Sequence, residues 1–285
     1  MEIRGCDMFK FMKKVAANIL KATVGKLPTL KQSPKFEDLS WYNIKVLKHQ
    51  EDHLEKIFHF GLMPVHYRRP YELLHAFTEI FVRGIYRFRA ATDAPLIIDC
   101  GANIGMSVLN FKRQYPKAKV IAFEPDHGNF QLLSKNVTAN DLPHVTLKQA
   151  AVWTANGSIS FSSEASEASH IAADGSGSQV VTAFRLADLL AAEERIDFLK
   201  IDIEGAEWPV IQDCAPVLGK VQHLFLEYHG KTSETYKLAG IMNILQDAGF
   251  SVYVQNAADA LSKPFLNKTT NTIYDVQLNL YCFKS

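Results

Sequence analysis

The spacing of apolar positions changes near residue 95. Upstream, residues 1–94 read as mostly helical, without strand alternation. The strongest segment there is residues 70–89, PYELLHAFTEIFVRGIYRFR, where Leu73, Phe77, Ile80, Phe81, Gly84 and Ile85 recur at helical spacing. Pro70 suits its first helical position. Nearer the start, Phe9, Met12, Val15, Ile19 and Val24 line one side of a helix surrounded by Lys10, Lys13, Lys14, Lys21 and Lys26. This reads as a helix packed on its own domain rather than a membrane-surface helix, since any packed helix needs such a stripe. No apolar run reaches the roughly 18 residues of a membrane-spanning helix.

From Pro95 onward, short β-branched runs alternate with amphipathic segments. LIIDCG, KVIAFEP, VTLKQAAVW, VVTAF, FLKID and HLFLEY read as strands. Between them, helices are predicted over 104–115, through Phe130, Leu133 and Val137, over 186–192, from Trp208, and over 236–248. Pro116 and Gly249 supply two of the stops. Repeated strand-helix-strand units predict an α/β fold with a parallel sheet covered on both faces. The last two strands, SVYVQ and DVQLNLYCFK, have no helix between them and are expected to pair antiparallel. Residues 162–179, SSEASEASHIAADGSGSQ, break the alternation as a polar loop, either a lid or a solvated excursion.

Composition narrows the function classes. Thirty-one Lys and Arg against thirty Asp and Glu leave a net charge of +1, so no basic excess points to nucleic acid. Cys6, Cys100, Cys214 and Cys282 are spaced too widely for a small disulfide framework or a zinc site. A reducing, cytoplasmic compartment is expected.

Three stretches carry chemistry. DCGANIG, residues 99–105, joins the first strand of the sheet to its helix, where glycines let the backbone approach a ligand. Its G-x-x-x-G spacing is not the dinucleotide pattern. Glu124 ends the second strand, followed by Pro125, at the place where a carboxylate can accept from ribose hydroxyls. DFLKIDIEGAE, residues 197–207, then gathers Lys200, Asp202, Glu204 and Glu207 at the end of a central strand. Carboxylates so concentrated repel one another unless they hold a cation, a proton or a polar substrate; Glu204 and Glu207 also suit the start of the next helix.

DCGANIG, FEP, FLKIDIEGAEWPVI and FLEYHG, in this order, resemble the FkbM-type S-adenosylmethionine-dependent methyltransferases. The resemblance covers about residues 95–284 and implies a Rossmann-like class I methyltransferase fold, a seven-stranded, mostly parallel sheet with one antiparallel strand. It implies that Asp99, Gly101, Ala102, Asn103 and Gly105 line the methionine and ribose of S-adenosylmethionine. Glu124, with Pro125, takes the ribose hydroxyls, Ala151 lies toward the adenine, and Asp202 faces the sulfonium. Methyl transfer to a hydroxyl of a sugar, glycan or natural product follows as the expected activity.

A hydroxyl needs a base or a metal to take its proton. Asp202, Glu204 and His229 are the expected catalytic residues, with Glu227 and the loop residue His170 as further candidates. Asp202, Glu227 and His229 are an oxygen-nitrogen set that suits a divalent ion, but the site is read as metal-free. Residues 1–94 are expected to cap or oligomerise a methyltransferase domain of residues 95–285. Two other classes compete: an NAD-dependent oxidoreductase or epimerase, disfavoured by the missing third glycine, and a non-catalytic scaffold on the same fold.

Overall fold

Every position of Ile196–Ile201 is buried, as are the last four of Leu96–Cys100. Strands with no polar face must be covered on both sides, which sets them at the centre of a parallel sheet. The computed structural model describes residues 39, 41–162, 170–171, 179–258, 265–266 and 273–284, and Leu39–Ser285 packs as one compact unit. The predicted helix through Phe9 and Val24, and Cys6, lie outside the described residues.

In chain order the elements begin with α1 (Trp41–Lys48), a hairpin of β1 (Lys56–Phe60) and β2 (Met63–Tyr67), and α2 (Pro70–Phe77), which runs into a π-helical turn, Thr78–Arg83. There follow β3 (Leu96–Cys100), α3 (Met106–Gln114), β4 (Lys119–Phe123), α4 (His127–Ala139), β5 (Val145–Lys148), β6 (Ala151–Trp153), β7 (Gly157–Ser162), β8 (His170–Ile171) and β9 (Gln179–Arg185). The remainder is α5 (Leu186–Ala192), β10 (Ile196–Ile201), α6 (Glu207–Cys214), β11 (Val221–Gly230), α7 (Thr235–Asp247), β12 (Ser251–Ala258) and β13 (Val276–Phe283). Seven strands form one sheet in the order β12-β13-β11-β10-β3-β4-β5. Only β13 runs antiparallel to its neighbours. This is the expected α/β sheet with one antiparallel strand. Cys100, Cys214 and Cys282 are free, buried thiols.

Three expectations need correction. The run VTLKQAAVW is two strands, not one: the Ala150 N–H bonds back to the Lys148 carbonyl at 3.0 Å, which turns the chain out of the large sheet. Beyond that turn β6 pairs with β9, so VVTAF also belongs to a second, four-stranded sheet of order β6-β9-β7-β8. Second, residues 56–67 are a hairpin rather than helix, reversed at Gly61 with φ of 62°. Its strands are five residues each, too short for a clear alternation to stand out. Third, the helix begun at Pro70 ends at Arg83, because Gly84 adopts a left-handed φ of 70°.

The hairpin is tied to the sheet domain through one buried side chain. Asn136 on α4 accepts from the His66 N–H at 2.6 Å and donates to the carbonyls of His66 (3.0 Å) and Ile104 (2.8 Å). Those bonds hold the leading segment beside the turn that follows β3. No helix among the described residues is long and apolar enough to cross a membrane.

Candidate active site

The turn after β3 is shaped by contact with the end of β10. Gly101 has φ of 85°, and a Cβ there would stand 1.8 Å from the Asp202 carbonyl oxygen. Only glycine fits that approach. Its N–H and that of Ala102 bond to the Phe123 carbonyl, and the Asp202 N–H bonds to the Cys100 carbonyl at 3.1 Å. Buried Lys200 completes the junction: its Nζ donates to the Gly101 carbonyl at 2.8 Å and pairs with Asp202 at 3.1 Å and Asp99 at 3.5 Å. Burial opposes its charge, but Asp202, Tyr86 and Asp99 outweigh that and hold its pKa above the ordinary value. Asp99 itself is raised by burial, against Lys200 and the Ser107 hydroxyl.

Glu124 is turned inward. Its carboxylate accepts from the N–H groups of Asn103 (2.8 Å) and Asp126 (2.9 Å), fastening the turn after β3 to the start of α4. Burial pushes its pKa up to about 7, against those two donors.

A cavity of about 810 Å³ opens over the carboxyl ends of β3, β10 and β11, within the range of ligand sites. Gly101, Ala102 and Asn103 line one wall; Asp202, Glu204, Glu227 and His229 line another. Arg68, Arg69, Glu72 and His75, from the hairpin's end and α2, line the side contributed by the leading segment. Of the other residues expected at the site, Asp99, Gly105, Glu124 and Pro125 are not among those that line the cavity. Ala151 lies in the second sheet, on β6. His170 lies in β8, its backbone paired with Ser162 of β7; its side chain is outside the described residues.

The acidic wall is organised around His229. Its Nδ1 lies 3.2 Å from Glu207 Oε1, and its Nε2 faces Glu204 at 3.5 Å and Glu227 at 3.6 Å. Glu207 is fully buried and also accepts from the N–H groups of Ile203 and Gly205, so it fastens the turn before α6 and orients the imidazole together. Glu204 sits in the left-handed region with φ of 53°, its carbonyl accepting from the Tyr274 hydroxyl at 2.5 Å. Such a conformation in a non-glycine residue costs energy and is held by its surroundings. Burial lowers the His229 pKa, but Glu207, Glu204 and Asp202 overcome it and carry it to about 10. Burial raises Glu204 to about 8 against His229, and burial with Asp202 raises Glu227 to about 7.

Glu207 and Glu227 join this wall from outside the expected catalytic set of Asp202, Glu204 and His229. The available signal was alternation: Glu227 and His229 are two apart on β11, so they leave the same face of the sheet. The contact between Glu207 and His229 had no such signal, because it forms only when α6 packs beside β11.

With this geometry in place, comparison with known proteins defines the class. The family model "Methyltransferase FkbM domain" matches residues 99–252, and the chain belongs to that family. S-adenosylmethionine is the methyl donor that this membership brings. Methyltransferase sdnD of Sordaria araneosa is 28% identical over 216 residues, spanning 62% of this chain and 81% of its own. Methyltransferase 1 of Beauveria bassiana is 28% identical over 166 residues, 50% and 66% of the two chains. The 2-O-methyltransferase NoeI of Sinorhizobium fredii is 29% identical over 157 residues, 47% and 63%. Among solved structures, M. jannaschii TYW2 in complex with AdoMet is 12% identical, over 83% of this chain and 89% of its own, at a TM-score of 0.42. The oxidoreductase alternative falls with the family assignment.

Proposed function

We propose that the chain is an O-methyltransferase that transfers a methyl group from S-adenosylmethionine to a hydroxyl of a sugar or other natural product. The observation that carries this is one cavity lined by both the glycine turn and an acidic cluster. When bound, S-adenosylmethionine supplies an electrophilic methyl group in line with the acceptor oxygen. The site suits a sulfonium cation: five carboxyl groups, Asp99, Asp202, Glu204, Glu207 and Glu227, stand against two basic groups, Lys200 and His229, and a bound cation favours their ionised forms.

Gly101, Ala102 and Asn103 form the floor beneath the methionine and ribose, with Asp99, Gly105 and Pro125 setting the shape of the turns behind it. Glu124 takes the ribose hydroxyls through lone pairs that its two amide bonds leave, and Asp202 stands toward the sulfonium. Ala151, on β6 of the second sheet, is assigned to the adenine side.

Asp202, Glu204 and His229 activate the acceptor. With its pKa carried to about 10, His229 keeps its proton at neutral pH, so Glu204 is the better placed base in its ionised form, a minor fraction at pH 7 that grows as pH rises through about 8. The part of the leading segment that lines the cavity, with Arg68, Arg69, Glu72 and His75, meets the acceptor beside a donor-binding domain formed by residues 95–285. The relative named a 2-O-methyltransferase supports oxygen as the methylated atom.

The test is a panel of hydroxyl-bearing sugars and natural products, incubated with methyl-labelled S-adenosylmethionine and read by mass. An O-methylated product is expected, with turnover falling about 10²–10⁴-fold in Glu204→Gln. Methylation found only on nitrogen or carbon would overturn the acceptor class, and unchanged turnover in Glu204→Gln would remove its role as base.

A further inference from the structure

The buried imidazole of His229 is oriented from one side and unsatisfied on the other. Glu207 fixes Nδ1 at 3.2 Å, while among the described residues Nε2 has no hydrogen-bond partner, Glu204 and Glu227 standing at 3.5 and 3.6 Å. An imidazole whose Nδ1–H is held by a carboxylate presents its Nε2 lone pair outward, the arrangement that supports metal-bound histidines. Glu227, with no side-chain hydrogen bond among the described residues, lines the same cavity. Asp202 pairs one oxygen with Lys200 at 3.1 Å, and among the described residues its other oxygen has no side-chain partner. One ligand atom from each of Asp202, Glu227 and His229 lies within 4.8 Å of the others. Bonds of about 2.0–2.5 Å to a shared ion span such a triangle.

We propose that Asp202, Glu227 and His229 bind a divalent metal ion at the acidic end of the cavity. Two carboxylates and one imidazole suit a borderline-hard ion of the Mn²⁺ or Zn²⁺ kind, rather than a soft ion that seeks thiolates. Three protein ligands leave positions open to water or to a substrate oxygen. The ion takes the place of the proton on Nε2 and offsets the surplus of carboxylates around it. This replaces the metal-free expectation drawn from the sequence. Its catalytic consequence alone rests on the methyltransferase reading: a hydroxyl held on the ion becomes more acidic, and Glu204, outside the ligand set, receives its proton.

The test titrates the metal-stripped full chain with Mn²⁺ alone, following free Mn²⁺ by its electron paramagnetic resonance signal. One saturable site is expected. Affinity should fall at least about tenfold in Glu227→Gln and in His229→Ala, and about 10–100-fold in Glu207→Gln, which touches no ion but orients His229. Circular dichroism checks that each variant is folded, and Asp202→Asn stands in for any that is not. Absence of saturable Mn²⁺ binding, or equal binding in wild type and all folded variants, overturns the site. S-adenosylmethionine binding measured on the same samples separates the two readings. Donor binding without Mn²⁺ removes only the metal site, and Mn²⁺ binding without the donor removes only the donor reading.

Discussion

Glu207 Oε1 lies 3.2 Å from His229 Nδ1, joining the first turn of α6 to the end of β11 by a contact in which the carboxylate is fully buried. One side chain thereby does two jobs. It accepts the N–H groups of Ile203 and Gly205 that the turn before α6 exposes, and it fixes the imidazole that faces the cavity. Glu207→Gln keeps the size and loses the charge. Turnover is expected to fall about 10–100-fold, as for other partners that orient a functional histidine. Donor affinity should stay within a few-fold. Steady-state kinetics beside donor titration measures both, and wild-type turnover in a folded variant would contradict the role.

Gly101 marks where two strands come closest to sharing space. A Cβ would stand 1.8 Å from the Asp202 carbonyl oxygen, and φ of 85° adds strain for any other residue. Gly101→Ala should therefore destabilise the fold by about 1–3 kcal/mol or more, read as a lowered midpoint in urea unfolding. Gly157, with open space around it, is the control: Gly157→Ala meets no atom within 4 Å and pays only for its own φ of 145°. Equal midpoints for wild type and Gly101→Ala would show that the turn relaxes freely.

The glycine turn, the parallel core and the antiparallel final pair were legible because each is written in consecutive residues. LIIDC and IDFLKI are apolar enough to demand cover on both faces, and the absence of a helix between SVYVQ and DVQLNLYCFK leaves only a direct return. The hairpin of residues 56–67 was not legible, since five-residue strands alternate too briefly to outweigh the helical segments around them. The second sheet was hidden for another reason. One local bond, Ala150 N–H to the Lys148 carbonyl, decides that VTLKQAAVW is divided. At the site, residue types and their strand ends were readable, but Glu124's inward turn onto Asn103 and Asp126 and Glu207's reach to His229 are tertiary facts.

Glu124 also gives stability a pH dependence of definite sign. Its folded pKa is about 7 against 4.5 for an ordinary glutamate, with burial as the cause. The unfolded chain therefore releases this proton first, so stability is highest below 4.5 and declines as pH rises through the window up to about 7. Above that window the contribution is flat. Urea unfolding across these pH values should show a steeper decline for wild type than for Glu124→Gln, which has no proton to release. Parallel slopes would contradict a raised pKa at this carboxyl.

Binding of S-adenosylmethionine to the purified full chain, followed by calorimetry, tests the account most directly. One equivalent should bind, the demethylated product should compete for it, and Asp202→Ala should weaken binding about tenfold or more, the loss expected when a half-buried charged partner is removed. A folded chain that takes up NADH but shows no heat with S-adenosylmethionine or its product would contradict it.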